Sequence, residues 1–250
     1  MVAGSSSRLP LEHPEFRYSV ARNPYSKKLL EFNHQVFSDH GTETHRGSWR
    51  DLFPDSGDRV GGSLNESQRP LHVEIGCNAG HVLVEWASKN PQNAYVGIDW
   101  KFKIIHKAAE KASKRGLKNT LFFRSHAGRL PYMFGEGEID HLYLFFPDPW
   151  PKRRQWSNRF ITAEKLREIA CLVKSGGIFH IKTDHRGYFN WMEKAVAQVS
   201  DLWEVVERSE HLHAGNSKAH LLSFPEVTLF ERLFVKDGLP IHKLDLKKRS

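Results

Sequence analysis

Residues 71–80 read Leu71-His72-Val73-Glu74-Ile75-Gly76-Cys77-Asn78-Ala79-Gly80. A short strand-like run ends in a turn of small residues. Over 80–90, Val82, Leu83, Trp86 and Ala87 then fall on one helical face, so the stretch reads as strand, tight turn and helix. Downstream the same texture recurs. Ala94 to Asp99 is a second strand, and a lysine-rich helix over Lys101 to Arg115 stops at Gly116. Leu121 to Arg124 is a third strand, and His141 to Phe146 a fourth, broken by Pro147. A helix over 162–174 is stopped by Ser175-Gly176-Gly177, Ile178 to Thr183 is a fifth strand, and Phe189 to Val199 is a helix. Strands alternating with helices predict an α/β fold, a mostly parallel central sheet with helices on both faces. Val227 to Phe234 reads as one further strand, pairing antiparallel at the end of the sheet.

Upstream the signal fades. Residues 1–69 carry little periodic apolar pattern and hold Gly4-Ser5-Ser6-Ser7, Asp55-Ser56-Gly57-Asp58 and Gly61-Gly62-Ser63, which are loop and linker compositions. They are expected to form a partly flexible N-terminal extension, with 70–250 as the folded domain and one short helix over Ser26 to His40. The whole chain of 250 residues suits one large domain. No apolar run is long enough to span a membrane, and the first residues lack the apolar core of a secretion signal. Two cysteines, Cys77 and Cys171, are too few for a disulfide framework or a zinc site, so no metal and a reducing cytoplasm are expected. The net charge of +8 points toward a polyanionic partner such as nucleic acid.

In sheets of this kind a ligand lies beyond the carboxyl ends of the strands. There the first strand delivers Glu74, Gly76, Asn78 and Gly80, and the second ends in Asp99, whose carboxylate suits two ribose hydroxyls. A dinucleotide fold wants G-x-G-x-x-G, and only Gly76 and Gly80 are present, so the pyrophosphate fingerprint is incomplete. The E-x-G-x-x-x-G turn resembles that of Rossmann-like class I methyltransferases, whose cofactor S-adenosylmethionine has no phosphate to cradle.

The sharpest signal is Phe145-Phe146-Pro147-Asp148-Pro149-Trp150-Pro151-Lys152-Arg153-Arg154. Prolines on both sides restrict Asp148, Trp150 offers a flat face, and three cations follow. That combination fits a base pocket beside a phosphate-contacting loop. With Glu74-Ile75-Gly76, Gly97-Ile98-Asp99, Leu172 to Gly177, Thr183-Asp184 and Thr228-Leu229-Phe230-Glu231, the string resembles the tRNA (guanine-N7-)-methyltransferase family, in order over most of the chain.

The resemblance implies methylation of guanine N7 in the variable loop of tRNA. It implies that Glu74 and Asp99 hold S-adenosylmethionine at its methionine and ribose ends, with Gly76, Asn78, Gly80, His126 and Ala127 around it. Asp148 stands at the junction of cofactor and base as the catalytic group, and Lys152, Arg154, Asp184, Thr228 and Glu231 are substrate-side. Three positions depart from the family pattern: Cys77 and Asn78 replace a glycine-richer turn, His126 stands where an acid usually meets adenine, and Pro151 replaces a histidine. Methylation of another RNA base or of a small molecule stays open, as does a non-catalytic RNA-binding module. Monomer, homodimer or a complex with a separate subunit are equally open. Lysines of the 101–115 helix, Arg153 and Arg159 are further candidates to grip RNA. So are Arg17, Arg22, Lys27 and Lys28 with Phe16, Tyr18 and Tyr25. The tail Lys243 to Arg249 reads as a solubilising end.

Overall fold

The computed structural model describes residues 23–54, 69–214 and 227–250. The linker clusters at 4–7, 55–58 and 61–63, and the residues Phe16, Arg17, Tyr18 and Arg22, lie outside the described residues. In chain order the elements are α1 (Pro24–Lys28), β1 (Val36–Ser38), β2 (Leu71–Ile75), α2 (His81–Lys89), β3 (Ala94–Asp99), α3 (Phe102–Lys114) and β4 (Thr120–Arg124). Then follow α4 (Leu130–Met133), β5 (Ile139–Phe145), α5 (Ala163–Leu172), β6 (Val173–Thr183), α6 (Arg186–Ala197), β7 (Trp203–Ser209), the helix Leu229–Lys236, called α7 here, and β8 (His242–Lys248).

The strands form one eight-stranded sheet in the order β1-β4-β3-β2-β5-β6-β8-β7. All pairs from β1 to β6 are parallel, and β8 runs antiparallel to both neighbours. Helices cover both faces because the strands are apolar on both: β4 is buried throughout, and β3 except at Asp99. α3 buries Phe102, Ile105, Ala108, Ala109 and Ala112 and leaves most of its lysines to water. One core lies under α4, α5 and α6, the other under α2 and α3. From β2 the chain winds outward through β3 and β4, then returns to β5 on the other side. The switch point therefore lies between β2 and β5, where their carboxyl ends leave a crevice.

Three readings of local structure are corrected. Residues 227–234 are not a strand. Thr228 caps α7, its hydroxyl accepting from Glu231 N while the Glu231 carboxylate accepts from Thr228 N. This capping box favours a helix over alternation, and the antiparallel strand is instead 242–248, the supposed tail, with Leu244 and Leu246 buried. The helix read over 162–174 ends at Leu172. Val173 already pairs with Ile139, and the register jumps to Ile178 opposite His141, so Ser175-Gly176-Gly177 is a bulge inside β6 rather than a helix stop. The helix read over 26–40 is confined to Pro24–Lys28 and a 3-10 turn, Leu29–Phe32. β1 then adds to the sheet edge beside β4, and Trp49, fully buried, donates Nε1–H to the Met133 carbonyl at 2.6 Å.

Candidate functional site

The turn from β2 to α2 is built from backbone that most side chains avoid. Gly76, Asn78 and Gly80 have φ of +73°, +49° and +64°. A Cβ on Gly80 would also sit 3.1 Å from that of Ala108. Asn78 tolerates the left-handed region, and its Oδ1 accepts from Ala79 N at 2.7 Å. Gly76 N and Cys77 N both donate to the Ile98 carbonyl, at 2.8 and 3.0 Å, tying the turn to the end of β3. Cys77 is buried, and burial drives its thiol well above the usual range, which leaves it a packing group rather than a nucleophile.

Two cavities flank this turn. The first, about 460 Å³, is lined by Ile75, Gly76, Asp99, Trp100, Ser125, His126, Ala127, Asp148 and Trp150 among others. The second, about 430 Å³, has Glu74, Gly76, Asn78 and His81 on one side, Phe146, Pro147 and Asp148 on another, and Thr228, Leu229, Phe230 and Leu233 on a third. Gly76 and Asp148 border both. A further cavity of about 440 Å³ runs down the sheet face from Phe145 toward His72. Burial and the neighbouring His141 push His72 down to about 3, so its imidazole is neutral. That cavity lies away from the turn, whereas the first two share it.

The charges at the crevice are shaped by burial. Glu74 is buried, and desolvation raises its pKa from 4.5 to about 8. Its Oε2 has no hydrogen-bond partner among the described residues, and neither does the buried Ser125 Oγ. Asp99 is also raised by burial, opposed by backbone donors that include Lys101 N, 3.0 Å from its Oδ1. His126 caps a short 3-10 turn, its Nδ1 accepting from Gly128 N at 3.1 Å. Nδ1 therefore carries no proton, and this tautomer donates through Nε2.

Asp148 is exposed on the loop after β5. Phe146 and Trp150 on either side have φ of +53° and +43°, unusual for large residues and of a kind concentrated at functional sites. Arg159 holds the loop. It is buried, donates Nε–H to the Pro149 carbonyl at 2.9 Å, and its guanidinium lies 4.8, 5.0 and 5.1 Å from the rings of Trp156, Trp191 and Tyr188. Expected to grip RNA, Arg159 is instead a buried clamp, while Lys152, Arg153 and Arg154 are exposed. Several other cations are likewise engaged within the protein. Lys111 donates to the Ala79 carbonyl at 2.8 Å, and Lys243 pairs with Glu207 and Asp245.

The sequence-predicted residues thus gather around two adjoining cavities, with five exceptions that line neither: Gly80 caps α2 at the back of the turn, Glu231 is buried within α7, Lys152 and Arg154 stand on the exposed loop beyond, and Asp184 follows β6. Glu231 is fully buried, with Lys182 Nζ 3.1 Å from both its oxygens and His213 Nε2 at 2.8 Å. Residue-by-residue reading missed Ser125, Trp100, Lys182 and the apolar face of α7. Ser125 was within reach, since it ends the third strand, where ligands collect. Among the described residues no group of three or more acidic, histidine or cysteine side chains suits a metal ion, and no helix is long and apolar enough to cross a membrane.

Residues 68–244 match the protein family described as "Putative methyltransferase". A tRNA (guanine-N(7)-)-methyltransferase of Bdellovibrio bacteriovorus is 29% identical over 219 residues, covering 87% of this chain and 97% of its own. Among solved structures, the 16S rRNA methyltransferase KamB is similar with a TM-score of 0.54 at 17% identity, covering 78% of this chain and 98% of that one. An antibiotic-related methyltransferase is similar with a TM-score of 0.52 at 19% identity, covering 76% and 95%. These two likenesses are of fold, and they bear out the Rossmann-like methyltransferase architecture expected from the sequence.

Proposed function

The chain belongs to this methyltransferase family, and from that premise we propose that it transfers a methyl group from S-adenosylmethionine to N7 of a guanine in tRNA, in the cytoplasm. The observation that carries the reading is the position of Asp148, held on a strained, clamped loop and shared by two adjoining cavities. The named relative from Bdellovibrio bacteriovorus and the basic loop after Asp148 support tRNA as the substrate.

The residues fit the cofactor. Two buried oxygens without partners, Glu74 Oε2 and Ser125 Oγ, suit an amino group and a polar ring edge respectively. Asp99 suits the ribose hydroxyls and the Gly76–Gly80 backbone a closely approaching chain. His126 Nε2–H matches an acceptor nitrogen of adenine, where an acid would match the amino group instead. Ala127 lines the same wall. When bound, S-adenosylmethionine supplies an electrophilic methyl on a positively charged sulfur.

Guanine N7 carries an in-plane lone pair and no proton, so the chain needs no general base. Its residues must align the base, exclude water and meet the positive charge that arrives on the purine. Asp148 does the last of these as a fixed carboxylate, and it can accept from guanine N1–H and N2–H, an edge adenine lacks. Asp184, at the end of the neighbouring strand, is the second carboxylate available to the incoming RNA. Lys152 and Arg154 meet phosphates. Thr228, at the wall of the second cavity, and Glu231, buried behind it, act through α7. The test is methyl transfer to unmodified tRNA followed by mapping of 7-methylguanosine. Methylation confined to another base or a small molecule would replace this reading, and a protein that binds RNA but neither binds the cofactor nor transfers a methyl group would be a non-catalytic RNA-binding module.

A further inference from the structure

The outer face of α7 is unusual for a protein surface. Leu229, Phe230 and Leu233 are 49%, 50% and 54% exposed, and all three line the second cavity. Contiguous exposed apolar side chains at a cavity mark a place where something binds. The inner face of the same helix is fixed. Glu231 is fully buried, receives Lys182 and His213, and closes the capping box with Thr228. A buried, multiply paired carboxylate sets the height and rotation of the helix, so the outer rings stand at a defined distance from the loop of Asp148. Across the cavity the Phe146 ring lies 6.4 Å from that of Phe230 and 5.5 Å from that of Phe234. Phe146 is half-buried and Phe230 half-exposed, so Phe230 is the ring with a face to offer.

We propose that Phe230 is a specificity-determining residue that stacks on the target purine, with Thr228 and Glu231 acting on the substrate by positioning the helix that carries it. The inference rests on the tRNA guanine reading above. A base taken out of the RNA stack loses its neighbours, and an aromatic face restores part of that loss, at about 1–3 kcal/mol per base. Stacking favours a purine through its larger ring face, while the carboxylate of Asp148 distinguishes guanine from adenine. The cavity joins the two, because Phe230 and Asp148 line it together.

The experiment compares F230A, F230L and F230Y with wild type in single-turnover methylation of unmodified tRNA, with cofactor affinity by calorimetry and thermal melting alongside. F230A is expected to lower kcat/KM by roughly tenfold to a hundredfold, from the stacking range above. F230L should recover little of it and F230Y nearly all, while cofactor affinity and melting stay at wild-type values. The proposal is overturned if F230A falls within twofold of wild type, if F230L matches F230Y, or if the loss follows cofactor affinity or melting. A wild type that modifies N7 together with an unaffected F230A overturns the stacking role alone. A wild type that leaves N7 unmodified overturns both readings.

Discussion

Cofactor binding should expel a proton from Glu74. With its carboxyl raised from 4.5 to about 8 by burial, the cofactor-free protein holds Glu74 protonated at neutral pH, about nine-tenths of it at pH 7. A cationic amino group placed against the unpartnered Oε2 favours the carboxylate, returning it toward or below its ordinary value. Binding then releases about 0.9 proton from Glu74 at pH 7, of which the cofactor's own amino group, ordinarily near 8, takes up about 0.1 as it becomes fully charged, leaving about 0.8 net; at pH 6 the net release is about one. The assay is calorimetry of S-adenosylmethionine binding in buffers of different ionisation enthalpy, whose slope counts protons. Affinity should rise nearly tenfold from pH 6 to 7, and Glu74→Gln should weaken binding and abolish the release. The same linkage acts on stability. A group whose folded pKa is raised contributes stability below its unfolded value and loses it as pH rises through the folded one. The cofactor-free protein should therefore lose on the order of 5 kcal/mol between pH about 4.5 and 8 from this site, and Glu74→Gln should flatten that decline. Tight binding at pH 6–7 with no proton released, or a release that survives Glu74→Gln, would refute the reasoning.

Four further outcomes are expected. Asp148→Ala should lower single-turnover methylation by a hundredfold or more, in the range of lost preorganised charge, with cofactor affinity by calorimetry changed far less. Arg159→Met removes both the Pro149 hydrogen bond and the aromatic-cage charge. It should reduce kcat more than tRNA affinity, as read from single-turnover rates at several tRNA concentrations. Lys152→Ala should weaken tRNA binding across sequences and reduce the salt slope by about 1 in filter-binding titrations. Trp49→Ala, which empties a fully buried site, should cost about 3–5 kcal/mol in denaturant unfolding.

From residue 71 to 199 the architecture was largely legible, because each buried strand is an apolar run cut off by glycine, proline or a charged helix. The turn was legible for a local reason: Gly76, Asn78 and Gly80 are residue types that accept the left-handed backbone it uses. What escaped depends on partners far along the chain. β1 is three residues at a sheet edge, too short to show a period, and its place is set by pairing with Phe122 to Arg124. β8 reads as a basic tail until it pairs with β6 and β7, where Lys243 meets Glu207, Asp245 meets His180 and Leu244 turns inward. α7 was misread as a strand although Thr228 and Glu231 stand at capping-box spacing. At the site, Asp148 was visible because two prolines frame it. The clamp by Arg159 was not, since three aromatic rings from two separate segments surround it only after folding.

The most direct measurement is incubation of the purified protein with labelled S-adenosylmethionine and unmodified tRNA, with the methylated nucleoside identified by mass spectrometry and its position mapped. The account predicts 7-methylguanosine at a variable-loop guanine, abolished by Asp148→Ala. Label on any other atom, or none while calorimetry shows the cofactor bound, would contradict it.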